Sequence, residues 1–187
     1  MVSSAATGFL VRRRTSFFCI VPLLLLIPAR PNATMFWTGV LLAVIGQGIR
    51  IWAAGTIHKS QEVTTGGPYA YVRHPLYCGT FFITLAYGMM SGLWWSLAVL
   101  LPLFIILHAA AVASEETKLC EMFGDAYREY ARRVGRFLPR LGRADAGANS
   151  VPRRGAFSWS QVLFNHEHVT VLFTLTMTLL FAARMVW

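Results

Sequence analysis

Four apolar stretches divide the chain, at roughly 9–29, 35–55, 76–113 and 169–187, and the polar segments between them hold nearly all of the charge. About twenty consecutive apolar residues cross a bilayer as a helix, and the third stretch is long enough to cross twice with a turn at Ser91 and Gly92. The pattern predicts an all-α fold: an integral membrane helical bundle with about five transmembrane helices, forming one domain over residues 1–187. From Glu116 to Val134, Leu119, Met122, Phe123, Tyr127, Tyr130 and Val134 recur mostly three or four apart, with Glu121, Asp125, Arg128, Glu129 and Arg132 opposite them. That periodicity predicts a cytoplasmic amphipathic helix that caps the bundle and stops at Gly135 and Pro139.

Composition agrees with the pattern: 56% of residues are hydrophobic, 13% are charged and the mean hydropathy is +0.52, where soluble domains carry about 25% charged residues. A net charge of +9 raises the question of nucleic acid, but the distribution answers it. With a cytoplasmic N-terminus, fourteen of the seventeen Lys and Arg residues fall in inside segments, Arg30 falls outside, and Arg50 and Arg184 fall within spans. This is the positive-inside pattern, so the basicity follows from orientation and its electrostatic partner is an anionic lipid surface. Arg12 to Arg14 followed by 17–27 also has the look of a signal peptide. Pro22 interrupts that run and no A-x-A site follows Ile27, so a retained short first helix is the preferred reading.

Within the second stretch, Gly39, Gly46, Gly48, Ala53 and Ala54 favour close helix packing, and Gly46-Gln47-Gly48 lacks the strand context of a phosphate loop. Arg50, within about a turn of the inner helix end, either snorkels to the interface or marks a functional site. Cys19, Cys78 and Cys120 form no CxxC pair and read as reduced, buried small apolar residues.

The chemistry falls to two cytoplasmic segments, 56–75 and 114–168. The first leads into Gly66-Gly67-Pro68-Tyr69-Ala70-Tyr71-Val72-Arg73-His74-Pro75-Leu76-Tyr77-Cys78-Gly79. Glycine and proline set a tight backbone path there, and Arg, His and three Tyr side chains stand at the membrane boundary. Composition alone also allows an interfacial aromatic belt with a basic anchor. The second segment opens with Glu115 and Glu116 at the end of the helix that contains His108. Taken alone, that pair reads as a solvated helix terminus or as the start of a new helix after Ser114.

Together these residues resemble the superfamily of isoprenylcysteine carboxyl methyltransferases and phospholipid methyltransferases. The resemblance rests on RHPxYxG within Gly67 to Gly79, then Glu115-Glu116, Phe123-Gly124, Tyr127, Tyr130 and Arg136-Phe137-Leu138-Pro139, in that order over residues 35–140. It implies a helical membrane enzyme that holds S-adenosylmethionine without a Rossmann domain. The cofactor motifs would be 66–79 and 114–139. Carried over, it puts Arg73, His74, Pro75, Tyr77 and Gly79 in the cofactor site with Glu115 and Glu116 as acidic partners. Tyr69, Tyr71 and Tyr127 would flank the adenine, and 124–139 would cover the cofactor. Arg133 or Arg136 would hold an anionic acceptor near the methyl, with Glu116 beside it in the reacting site.

Such a site lets carboxylates meet the cofactor's amino group, hydroxyls and sulfonium while Arg or His meets its carboxylate. Methyl transfer is an in-line displacement that depends on positioning and exclusion of water. A prenylated-cysteine carboxylate, the leading acceptor, needs no general base. A phospholipid amine would need one, from His74, His58 or a glutamate, and a small thiol is the third acceptor class. Past Pro139 the chain departs from the pattern: 140–168 reads as a cytoplasmic loop, and 169–187 as an additional C-terminal transmembrane helix. His166 and His168 stand two apart and do not share a helical face, so no metal site is assigned. Two other classes stand beside the methyltransferase, a noncatalytic lipid-binding membrane subunit and a sterol-type reductase with a nicotinamide cofactor.

Overall fold

The computed structural model of the chain describes residues 19–58, 62–139 and 155–186. Arg12 to Arg14 and the stretch 140–154 lie outside the described residues. Helix α1 (19–26) turns at Ile27 and Pro28 into α2, Ala33–Thr56, whose N-cap Asn32 accepts the Met35 amide at 2.9 Å. A 3-10 turn, Gly67–Ala70, leads to α3, Pro75–Met90, with proline at its start where no N–H is needed. Then come α4, Ser96–Arg133, the short α5, Trp159–Phe164, and α6, Glu167–Ala183. The long third stretch breaks between Met90 and Ser96, as its pattern predicts.

The tightest helix contact in the fold uses the small residues. α2 and α3 cross where Gly46 meets Gly79: a Cβ on Gly46 would stand 2.6 Å from the Gly79 carbonyl, and one on Gly79 would stand 2.5 Å from that of Gly46. Gly39 likewise faces the Ala86 carbonyl, whereas Gly48 faces open space and takes no part. With backbones so close, dispersion contacts supply the adhesion that apolar burial cannot supply in lipid. Leu25, Phe36, Ala43, Ile83, Tyr87, Met90, Leu100, Met177 and Phe181 complete the core. Trp37, Leu41, Val44, Ile105, Ile106, Leu172, Leu175 and Leu179 point outward, the reverse of a soluble protein.

At the end away from the polar segments, the Arg30 amide donates to the Ser91 carbonyl (2.8 Å), and Gly92, at φ +67, lets the α3–α4 turn lie directly on Arg30. Arg184 Nη2 donates to the Ile27 and Ala29 carbonyls at 3.3 and 3.2 Å, so it caps the α1–α2 turn.

Several expectations need correcting. No new helix starts after Ser114: α4 runs on through Glu115 and Glu116, and its break falls at Gly124 (φ 53, ψ −124), a backbone region that only glycine enters without strain. The segment after Pro139 is not all loop, because it contains α5, which docks through Gln161 and Asn165 side chains donating to the Ile57 and Ala54 carbonyls at the C-terminal end of α2. The three cysteines are free but only partly buried. By length and composition α2 and α4 are sufficient to cross a bilayer. The 16 residues of α3 and 17 of α6 correspond to about 24–26 Å, somewhat less than the roughly 30 Å of a hydrocarbon core.

The glycine contact yields a direct comparison. Gly46→Val forces a side chain into the Gly79 backbone and should cost about 2 kcal/mol or more, whereas Gly48→Ala should leave stability unchanged or raise it by a few tenths to about 1 kcal/mol. Thermal melting of the detergent-solubilised variants measures both.

Candidate functional site at the Glu116 cluster

The site forms because two segments far apart in sequence share one short stretch of backbone. The Arg73 amide donates to the Gly135 carbonyl (2.8 Å) and the His74 amide to that of Arg136 (3.1 Å), and Val72 pairs with Gly135 as an isolated parallel bridge. The bend at Gly124 makes this possible by turning the end of α4 back over the loop, where the Tyr130 hydroxyl donates to the Tyr69 carbonyl at 2.8 Å.

Under that backbone clasp lies Glu116. Its Oε1 is 3.0 Å from Arg73 Nη1 and 3.2 Å from His74 Nε2, while Arg136 grips both oxygens, with Nη2 2.7 Å from Oε2 and Nε 3.1 Å from Oε1. Arg73, His74 and Glu116 are largely buried, and Arg136 remains more than half exposed. One turn is thereby fixed to the other by charge-assisted bonds. Beside it the Tyr77 hydroxyl donates to Glu115 Oε2 at 3.0 Å, with the Tyr77 ring edge-on to His108, whose Nδ1–H donates to the Phe104 carbonyl. A cleft of about 730 Å³ opens in the elbow of α4, lined by Glu116, Thr117 and Cys120 before the bend, Tyr127, Arg128 and Arg132 after it, and Arg73 and Arg136 from the clasp.

The electrostatics follow from burial and pairing. Burial pushes His74 below its ordinary value of 6.5, against the opposing pull of Glu116 and Glu115, so the ring is neutral at pH 7. Burial also raises Glu116, but the bonds from Arg136 and His74 and the charge of Arg73 outweigh it and hold the carboxyl below the usual 4.5. Tyr127 is pushed up to about 12 by burial and then by Glu116, so it stays a neutral hydroxyl. Among the described residues, three buried polar atoms of this region have no well-formed hydrogen bond, Tyr69 Oη, Arg73 Nε and Tyr127 Oη, although the Tyr127 hydroxyl lies close enough to the Arg73 guanidinium to feel its pull. Unpartnered buried polar atoms are costly, and a bound polar ligand is one way to satisfy them.

Residues 34–126 match the phospholipid methyltransferase family. The nickel-cobalt-cadmium resistance protein NccN of Alcaligenes xylosoxydans xylosoxydans is 36% identical over 110 residues, which cover 58% of this chain and 50% of that protein. The protein-S-isoprenylcysteine O-methyltransferase of Schizosaccharomyces pombe is 32% identical over 94 residues, 50% of this chain and 40% of that protein. Methanethiol S-methyltransferase 1 of Bradyrhizobium diazoefficiens is 34% identical over 71 residues, 38% of this chain and 24% of that one. The chain belongs to the isoprenylcysteine carboxyl and phospholipid methyltransferase superfamily. It spans about half the length of relatives such as NccN, and no solved structure matches it.

The superfamily's RHPxYxG and glutamate pair, read on this chain, separate into distinct roles. Arg73, His74, Glu116 and Arg136 meet at one carboxylate, with Tyr77 and Glu115 as a second pair beside them and Tyr127 on the cleft wall. Pro75 is buried at the head of α3. Tyr69 is buried under Tyr130, while Tyr71 is exposed, its ring 6.4 Å from Trp52 and outside the cluster. Gly79 looks away from the cluster and makes room for the α2 backbone and the Arg50 stem. Arg133 pairs with Glu129 on the helix surface and does not reach Glu116, whose arginines are Arg73 and Arg136.

Residue-by-residue reading missed three features: the clasp, the tie from Tyr130 to Tyr69, and the partner of Arg50. That partner is Glu167, with Arg50 Nε and Nη2 each 2.8 Å from one of its oxygens. An arginine deep in an apolar stretch requires a counter-charge, and a glutamate directly preceding the last apolar stretch was the available signal.

Two outcomes are expected. Because both His74 and Glu116 titrate lower folded than unfolded, the unfolded chain takes up protons first, so stability falls as pH drops below 6.5 and again through 4.5. Melting temperatures between pH 8 and 4 should show this, and His74→Gln should flatten the part above pH 5. Gly124→Ala, which forces a side chain into the φ 53, ψ −124 bend, should cost about 1–3 kcal/mol, read from the same melts.

Proposed function

We propose that the chain is an integral membrane S-adenosylmethionine-dependent methyltransferase whose acceptor is a lipophilic carboxylate of the prenylated-cysteine kind. The observation that carries this reading is the convergence of Arg73, His74 and Arg136 on Glu116 at the edge of the cleft, built from the residues of the superfamily's motifs. The proposed topology has the N-terminus and the cluster on the cytoplasmic side, with about five membrane passes, α3 and α6 among them.

The donor set suits the cofactor. S-adenosylmethionine carries an amino group, two ribose hydroxyls, a sulfonium and a carboxylate, and the unpartnered Tyr69 Oη and Arg73 Nε are polar atoms available to such a ligand. When bound, it supplies an electrophilic methyl group on positive sulfur. Glu116 holds the two arginines and His74 in fixed directions, so little reorganisation is needed when a charged ligand arrives. Arg136 is the exposed member, and it can turn from Glu116 towards an incoming carboxylate without unburying the others. Glu115, held by Tyr77, adds negative charge for the cofactor's cationic groups.

The cleft supports a carboxylate over an amine. Arg73, Arg128, Arg132 and Arg136 line it; Arg128 and Arg132 are paired with Asp125 and Glu129, and the exposed Arg136 is the cation free to meet an incoming anion. A carboxylate is already ionised and needs no base. Of the candidate bases for an amine, His74, His58 and the glutamates, His74 Nε2 and both oxygens of Glu116 are already engaged with each other or with arginine. The apolar outward faces of the helices leave the lipid tail of an acceptor in the bilayer, where it is soluble.

Titration of the detergent-purified protein with S-adenosylmethionine tests the reading. Saturable micromolar binding is expected, weakened at least about 10-fold, or 1.4 kcal/mol, in Glu116→Ala. A farnesylated cysteine should accept labelled methyl, and its carboxamide should not. Failure of the folded protein to bind S-adenosylmethionine sinks the proposal, as does binding of NADPH in its place. Transfer to phosphatidylethanolamine alone would replace the carboxylate with the amine.

A further inference from the structure

A buried ion pair stands apart from the Glu116 cluster, and the proposed chemistry does not use it. Arg50 on α2 forks onto Glu167 of α6, and both are shielded, with side-chain exposures of 17% and 3%. Gln47 Nε2 donates to Glu167 Oε1 at 2.8 Å, and Arg50 Nη2 also reaches Thr170 at 3.3 Å. The remaining arm of the guanidinium goes to α3: Nη1 donates to Thr80 Oγ1 at 2.6 Å, and that hydroxyl donates onward to the Leu76 carbonyl at 2.9 Å. Leu76 sits in the first turn of α3, the turn whose Tyr77 and Cys78 amides donate to the His74 carbonyl. The motif glycine Gly79 is the position that admits the Arg50 stem, since a Cβ there would stand 2.5 Å from Arg50 Cγ.

Adhesion alone does not account for this pair. The Gly46–Gly79 crossing already holds α2 to α3, and replacing a buried ion pair with apolar side chains is often neutral or stabilising. What a forked arginine adds is direction, because its five donors fix three helices at defined angles. Glu167 lies beyond the matched residues 34–126, whereas Arg50, Leu76 and Thr80 lie within them. The addition past Pro139 therefore supplies the counter-charge for an arginine of the shared region.

We propose that Glu167 is a positioning residue for the cofactor site, acting through Arg50 and Thr80 on the first turn of α3 and so on His74 and Tyr77. This rests on the methyltransferase reading. In the double variant Arg50→Met/Glu167→Leu, apolar packing replaces the pair. The expected result is a melting temperature within a few degrees of wild type and a dissociation constant for S-adenosylmethionine raised at least about 10-fold. Thr80→Val cuts the α3 end alone and should also weaken binding at unchanged melting temperature. It decides the matter by itself if the double variant does not fold. Wild-type affinity in the folded variants overturns the positioning role and leaves the methyltransferase reading standing, whereas absence of binding by the wild-type protein, titrated in parallel, overturns both.

Discussion

A shielded carboxylate is stable only when its charge is answered, and Glu116 is answered by the guanidinium groups of Arg73 and Arg136 and by a hydrogen bond from the neutral His74. Because these partners come from two separate segments, satisfying one buried charge folds the second half of the polar region onto the first. The backbone clasp between 72–74 and 135–136 and the seat of Tyr130 on Tyr69 follow from the same approach. Remove the carboxylate and the shielded Arg73 cation, the buried His74 ring and the exposed Arg136 lose their common partner.

The bend at Gly124 is the geometric counterpart of that electrostatic demand. A straight α4 would carry Tyr127, Tyr130 and Arg132 away from the loop at 66–75. The positive φ returns them to it and leaves a cleft inside the elbow. One helix therefore serves as an apolar segment long enough to span a bilayer and as both walls of the cleft. Each arginine around that cleft is answered by a carboxylate, and the buried, neutral His74 adds no further positive charge.

The same rule governs the charge within the apolar stretch of α2. Arg50 cannot stand alone in an apolar stretch, and Glu167 at the head of α6 meets it with two short bonds. Whereas Glu116 joins two polar segments, Glu167 joins three helices, and both clusters bear on the first turns of α3. The residues between them, His74 to Thr80, are those in which the superfamily motif is concentrated.

Sequence by itself determined the elements that obey one-dimensional rules. The apolar periods located the helices, the break at Ser91 and Gly92 and the small-residue face of α2, because lipid demands uninterrupted helical segments. The order of RHPxYxG, Glu115-Glu116 and Arg136 carried the family resemblance, and through it pointed to residues that the fold brings together at Glu116. Only the tertiary structure decided which partners the charges chose. It separated Arg136, which holds Glu116, from Arg133, three residues earlier, which turns to Glu129. It likewise made Gly79 a packing residue and left Tyr71 outside. It continued α4 through the glutamate pair to bend at Gly124, since a helix already propagating at Ser114 needs no new start, and the turn awaits the first residue free to take positive φ. Pairing depends on distances across the fold, and those are set by helix crossings and bends that no local window of sequence contains.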